Sequence, residues 1–256
     1  MNLWNKVIGE MKRHDAILFV LDARCPLETR SEKLESIANK TKKPFWIIPN
    51  KVDLVPKEFA DKTKEFFKEN SKAVDVVHVS AKKYYGVNIL RWSLRRILEK
   101  TVLKEKEKAY LIVVGYPNVG KSSIINMLAR RSKAGVSPKP GFTRGKQWIR
   151  VSKKILISDT PGVVPIEKEE WKNILFPGEN LESSALWLLS KIKNADGSNF
   201  HEVYGFDIKD VEESEALKLI GERFKFLKKG GEIDVNRAAK RLIDDWNRGK
   251  LSAWWL

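Results

Sequence analysis

Gly115-Tyr116-Pro117-Asn118-Val119-Gly120-Lys121-Ser122 matches the phosphate-loop pattern GxxxxGK[ST] and constrains the fold more tightly than any other stretch of the chain. A strand-length apolar run, Leu111 to Val114, precedes it, and a helix-like segment, Ser123 to Arg130, follows. The glycines let the backbone curl until successive amide hydrogens face one anion at a helix N-terminus, where the helix dipole adds to the attraction. From average composition, a chance match in a chain of 256 residues has odds of roughly one in a hundred. The strand-before, helix-after setting makes an ordinary glycine turn the weaker reading. Lys121 is expected to reach the β- and γ-phosphates and Ser122 to ligate Mg²⁺, with Tyr116, Pro117, Asn118, Val119, Gly120 and Ser123 completing the cradle.

A loop of this kind needs a parallel sheet covered by helices, and the flanking sequence supplies one. Ala16 to Leu21, Phe45 to Ile48, Val74 to Val79 and Leu111 to Val114 read as buried parallel strands. Ser31 to Lys40, Pro56 to Asn70 and Asn88 to Lys100 have the length of crossover helices. Gln147 to Val151 and Ile155 to Ser158 suggest a hairpin, which makes one antiparallel edge strand in a mostly parallel six-stranded α/β sheet. Glu99 to Lys108 alternates in charge and reads as a solvated connector. After Pro161-Gly162 the pattern turns helical, notably over Leu181 to Lys193, Val211 to Leu227 and Asp234 to Arg248. Asp234 is placed as the N-cap of the last helix and Gly249 as its stop. Two domains are expected, residues 1–165 and a small helical domain at 166–256.

Charge divides along the same line. Residues 1–165 hold 34 Lys and Arg against 16 Asp and Glu, whereas residues 166–256 hold 15 against 17. Lys121 to Lys154 contains ten basic side chains and no acidic one. This run reads either as a solvated basic face or as a contact surface for nucleic-acid phosphates. No apolar run approaches the roughly 20 residues of a membrane span. The frequently charged N-terminal stretch lacks the features of an export signal. A soluble, cytoplasmic protein without a membrane partner is the expectation. Cys25 is the single cysteine, which excludes an intramolecular disulfide and a Cys-cluster zinc site.

Four further stretches become informative beside the phosphate loop. Asp159-Thr160-Pro161-Gly162 ends a strand, where Asp159 is placed to hold Mg²⁺ through water and the Gly162 amide to face a γ-phosphate. Thr143, in the loop Pro140-Gly141-Phe142-Thr143, can complete the Mg²⁺ shell when a γ-phosphate is present. Asn50-Lys51-Val52-Asp53 follows a strand. A carboxylate at Asp53 can accept from both the ring N–H and the amino group of guanine, a donor pair that adenine lacks. Asn50 would brace that loop and the Lys51 stem cover the purine, while Ser80-Ala81-Lys82 would offer amides to guanine O6. Taken singly, each of these is a plain polar turn.

Together the stretches resemble the five signature motifs of the Ras-like GTPases, but NKxD and SAK here precede the phosphate loop, Thr143 and DTPG. The order is that of a circular permutation. With Asp22-Ala23-Arg24-Cys25-Pro26 similar to a DARxP motif, the chain resembles the circularly permuted GTPases of large-ribosomal-subunit assembly, the RbgA/YlqF type. Gly230 to Asp244 and Arg248-Gly249-Lys250-Leu251 resemble that family's C-terminal helical domain, which contacts ribosomal RNA.

The resemblance implies a slow GTPase acting as a nucleotide-switched assembly factor for the large ribosomal subunit through rRNA, from a compact prokaryotic member acting as a monomer and without DNA. Lys121, Thr143 and Gly162 would serve the reaction, Ser122, Thr143 and Asp159 would hold Mg²⁺, and Asn118 would help to hold K⁺. Val163 stands where Ras-type proteins carry a water-orienting glutamine, and the family's alternative GHM histidine motif is absent. His14, His78 and His201 read as structural, so no general base is assigned. The alternatives are a regulatory GTPase acting on tRNA or a protein partner, and a P-loop enzyme with a small substrate. The latter requires a second polar pocket with converging acid or base residues.

Overall fold

The computed structural model describes residues 3–129, 148–158, 174, 181–195 and 197–256. Within them the chain forms two compact units, Met1–Pro165 and Ile166–Leu256. The first is built on β1 (Ala16–Asp22), β2 (Phe45–Asn50), β3 (Asp75–Val76), β4 (Ala109–Val114), β5 (Trp148–Arg150) and β6 (Ile155–Ser158). Its sheet order is β3-β2-β1-β4-β6-β5. All pairings are parallel except β5 with β6, the antiparallel edge expected of the hairpin. Helices α1 (Leu3–Arg13), α2 (Glu32–Lys40), α3 (Lys57–Asn70), α4 (Val87–Lys100) and α5 (Lys121–Ala129) alternate with the strands.

Burial explains the unbroken apolar runs. Every residue of β1 and β2 is buried, as are Leu111 to Val114 of β4, so these strands lose water on both faces and have no polar alternation. The chain runs outward from β1 to β2 to β3 and then crosses to β4 on the other side of β1. This reversal opens a crevice at the C-terminal strand ends between β1 and β4, the usual ligand position in an open α/β sheet.

Three local features differ from the sequence reading. The strand anticipated over Val74 to Val79 shortens to Asp75–Val76. The amides of Val74, Val77 and Val79 still donate to Phe45, Ile47 and Pro49, but three residues separate the first two donors, where a parallel ladder repeats every two. The Asp75 carboxylate takes the intervening Val76 amide at 2.9 Å. The connector is also more ordered than its composition implied. Helix α4 runs to Lys100, a 3₁₀ turn follows at Val102–Lys104, and Lys106 pairs with Asp15 at 2.5 Å. Finally, the N-terminal stretch forms α1, which buries Val7 and Met11.

The second unit contains, among the described residues, α6 (Leu181–Lys193), α7 (Phe200–Tyr204), α8 (Glu213–Arg223) and α9 (Val235–Asn247). Its core joins Leu188, Leu189 and Ile192 with Leu217, Ile220, Leu242, Ile243 and Trp246. Asp234 caps α9 by accepting the Arg237 amide at 3.1 Å, as its position before the apolar stripe requires. The C-terminal tryptophans belong to this core. Trp255 stacks on Trp246 with centroids 5.3 Å apart, and a Cβ at Gly197 would fall 2.1 Å from the Trp254 ring. No described helix is long and apolar enough to cross a membrane.

One ionic cluster sits inside this apolar packing. The buried Asp245 carboxylate accepts from Arg241 Nε at 2.5 Å and from the Tyr204 hydroxyl at 3.3 Å. Burial and the neighbouring carboxylate push the Tyr204 phenol far above its ordinary range, so it stays a donor at any physiological pH. Asp245→Ala leaves both donors without their acceptor and is expected to cost roughly 2–4 kcal/mol. Urea unfolding of the chain measures this, with Asp245→Asn expected to fall between the two.

Candidate functional site

Strand β4 delivers the phosphate loop to the crevice, and the sequence allows it because two positions carry no side chain. A Cβ on Gly115 would lie 2.4 Å from the Val20 carbonyl oxygen of β1. At Gly120, where φ is +98°, a Cβ would meet Asn50 Nδ2 at 2.2 Å. Asn118 holds a left-handed backbone with φ 59°, which asparagine tolerates better than most residues. Helix α5 then begins at Lys121, with the Ile124 amide donating to the Gly120 carbonyl at 3.0 Å. Ser122 and Ser123 are exposed at its N-terminus.

Asn50 connects this loop to the two other strand ends. Its Nδ2 donates to the Val119 carbonyl at 2.8 Å, and its Oδ1 accepts the Ala81 amide at 3.1 Å. One buried side chain therefore bridges β2, the phosphate loop and the loop after β3. The expected Asn50-Lys51-Val52-Asp53 segment and the Ser80-Ala81-Lys82 segment thus stand on the same side of the crevice as Gly115 to Ser122. Lys51 takes a left-handed backbone with φ 66°, and Asp53 follows in the 3₁₀ turn Val52–Leu54.

The amides expected to face guanine O6 are not equivalent. Ser80 donates its amide to the Tyr85 carbonyl at 3.1 Å, and Ala81 donates its amide to Asn50. Lys82 carries the one amide of the three without an internal acceptor among the described residues.

Electrostatics mark the site as a receptor for anions. Lys121 Nζ folds back on the Tyr116 carbonyl at 2.6 Å, and burial alone lowers its pKa from the ordinary 10.5 to about 8. A polyphosphate would restore the charge that burial disfavours. The exposed Ser122 hydroxyl beside it fits a Mg²⁺–nucleotide, in which the metal would neutralise phosphate charge. Thr143, Asp159 and Gly162 lie outside the described residues, as do Val163 and most of the basic run between Arg130 and Lys146.

Two residues of this neighbourhood were not assigned a part in the site by the sequence reading. Asp22, the last residue of β1, accepts from Lys51 Nζ at 2.8 Å, and Arg24 donates to the same carboxylate. Their motif was visible, but nothing in its composition indicates contact with a lysine 29 positions away. The histidines stand apart from this chemistry. His14 packs against Trp148, His201 is exposed, and burial holds His78 near pKa 4, hence neutral at pH 7.

Comparison with known proteins finds GTP-binding relatives and the same fold. A family model described as a 50S ribosome-binding GTPase matches residues 110–210. The chain is 43% identical over 97% of its length to an uncharacterized GTP-binding protein of Methanocaldococcus jannaschii, covering 65% of that protein. It is 31% identical to nucleolar GTP-binding protein 2 of Saccharomyces cerevisiae and 33% identical to nuclear/nucleolar GTPase 2 of Arabidopsis thaliana, covering 52% and 44% of them. The chain thus spans about half to two thirds of the relatives it matches. Among solved structures, GNP-bound YlqF from T. maritima aligns with a TM-score of 0.64 at 23% identity, covering 97% of this chain and 96% of that one. Its GDP-bound form gives 0.63, with 98% of each chain covered.

Two outcomes follow from the geometry. Asn50→Ala removes both bridging bonds and is expected to weaken GDP binding by about 10- to 100-fold while leaving helix content unchanged, read by calorimetry and circular dichroism. Raising the pH above about 8 discharges Lys121 in the free protein but not against a bound polyphosphate, so binding there takes up a proton. Between about pH 7 and 9, affinity should fall more steeply with pH in the wild type than in Lys121→Met, by up to about tenfold per pH unit.

Proposed function

We propose that the chain is a circularly permuted GTPase of the RbgA/YlqF type that binds GTP and GDP with Mg²⁺, hydrolyses GTP slowly and acts as a nucleotide-switched assembly factor for the large ribosomal subunit, a reading its relatives support. The observation that carries this reading is the Asn50 bridge. It brings a purine-selecting loop and an anion cradle, 69 residues apart in the chain, onto one crevice.

In this reading Asp53 accepts from the guanine edge, the Lys82 amide faces O6, and the Lys51 stem covers the ring. The amides of Tyr116 to Ser123 and the Lys121 ammonium hold the phosphates. Ser122, with Asp159 through water and Thr143, would hold Mg²⁺, which would supply charge neutralisation to the bound polyphosphate. Gly162 senses the γ-phosphate, while Thr143 orders around it. Val163 cannot orient water, so intrinsic turnover is slow and rises when K⁺, near Asn118, and the ribosomal partner order the switch loop.

The basic run from Lys121 to Lys154 and the helical second unit supply rRNA contacts, with Arg150, Lys153 and Lys154 already exposed in the described hairpin. The family description naming the 50S subunit and the nucleolar relatives support this partner over tRNA or an unrelated protein.

Calorimetry is expected to show GDP binding at least about 100-fold tighter than ADP. Gradient sedimentation with large subunits should show co-migration that depends on a non-hydrolysable GTP analogue and weakens steeply with salt. Equal co-migration of GDP and analogue forms would remove the switch, and absence of any guanine preference would remove the whole reading.

A further inference from the structure

The Asp22-Ala23-Arg24 stretch has sequence identity but no chemistry in the reading above. The structure gives it one. Asp22 ends β1 opposite Asn50 in the parallel register, and the Ala23 amide donates to the Asn50 carbonyl at 2.8 Å. The stretch is therefore welded to the strand end from which the guanine loop departs. The Asp22 amide donates to Thr29 Oγ1 at 3.0 Å, and that hydroxyl donates to the Cys25 carbonyl at 2.9 Å.

The carboxylate of Asp22 is saturated. Oδ1 accepts the Arg24 amide at 3.1 Å and Arg24 Nε at 3.0 Å, while Oδ2 accepts Arg24 Nη2 at 2.8 Å and Lys51 Nζ at 2.8 Å. The Arg24 side chain is completely buried, Asp22 is 6% exposed and Lys51 16%. Two cations therefore share one carboxylate at the strand end from which the loop assigned to the base departs.

Holding a lysine by its ammonium is costly if packing is all that is needed, because a Met or Leu of similar length would cover a purine without burying a charge. The tether instead fixes the end of a stem that would otherwise sample many rotamers, at a residue whose backbone is already in the left-handed region. We infer that Asp22 is a positioning residue for guanine recognition: it tethers Lys51 as the wall of the base pocket, and Arg24 holds the same carboxylate in place. This inference rests on the guanine assignment of the proposed function.

The test compares GDP with inosine diphosphate, which lacks the amino group that Asp53 would accept. Calorimetry on the full chain would use Asp22→Asn, Lys51→Met, the double variant and Asp53→Asn, with thermal midpoints recorded for each. Asp22→Asn is expected to reduce the preference for GDP over inosine diphosphate by roughly tenfold. Lys51→Met, which keeps the stem but loses the tether, should reduce it similarly, and the double variant should add little to either single change.

A purely structural staple between β1 and β2 would instead lower the midpoint and weaken both nucleotides equally, and that result overturns the inference. If Asp22→Asn does not fold, a Lys51→Met protein with wild-type discrimination overturns it as well. Should Asp53→Asn leave the GDP preference intact, the guanine assignment itself fails. Should Asp53→Asn abolish it while Asp22→Asn and Lys51→Met do not, only the positioning role fails.

Discussion

The functional end of the sheet depends on a single buried amide. Asn50 accepts from one loop and donates to another, and neither Ala81 nor Val119 is near it in sequence. An amide suits this position because it presents a donor and an acceptor in one rigid plane, whereas a carboxylate or an ammonium presents only one kind. Its geometry also dictates the glycine at position 120, since any Cβ there would occupy the space of Nδ2. The conserved-looking spelling of the phosphate loop is thus partly a packing requirement imposed from β2, in addition to the need of its amides to face an anion.

Charge is distributed around that bridge with opposite purposes. On the base side, the cations Arg24 and Lys51 are consumed by Asp22, whose carboxyl they hold well below the usual range despite burial. On the phosphate side, Lys121 meets no carboxylate among the described residues and leans on the Tyr116 carbonyl. One half of the crevice is internally compensated, whereas burial disfavours the charge of the lysine in the other.

The second unit follows a different logic. Its helices bury aliphatic stripes around Trp246, and the ionic cluster of Asp245 with Arg241 and Tyr204 joins α9 to α7. Arg241 and Arg237 also lie with their guanidinium groups over the rings of Phe224 and Phe226, so the cations themselves cover aromatic surface. With acidic and basic residues nearly balanced in this half, the large positive excess of the chain belongs to the first unit alone.

Much of this was legible from residue order because it depends on local pattern. The apolar runs of β1, β2 and β4 could only be strands buried on both faces, the crossover helices followed from their lengths, and Asp234 announced the start of α9. The stretches Gly115 to Ser122 and Asn50 to Asp53 were readable as motifs for the same reason, each being a short contiguous segment. Local pattern failed where partners decide. Strand β3 is cut short by the Asp75 carboxylate, and the Ala81 amide is diverted to Asn50. By itself the sequence determined which segments are strand, helix and ligand loop, since those depend on spacing and backbone preference along the chain. Only the tertiary structure decided that Lys51 is held by Asp22 and that Asn50 joins the end of β2 to two loops, because hydrogen bonds across tens of residues exist only once the sheet has brought its strand ends together.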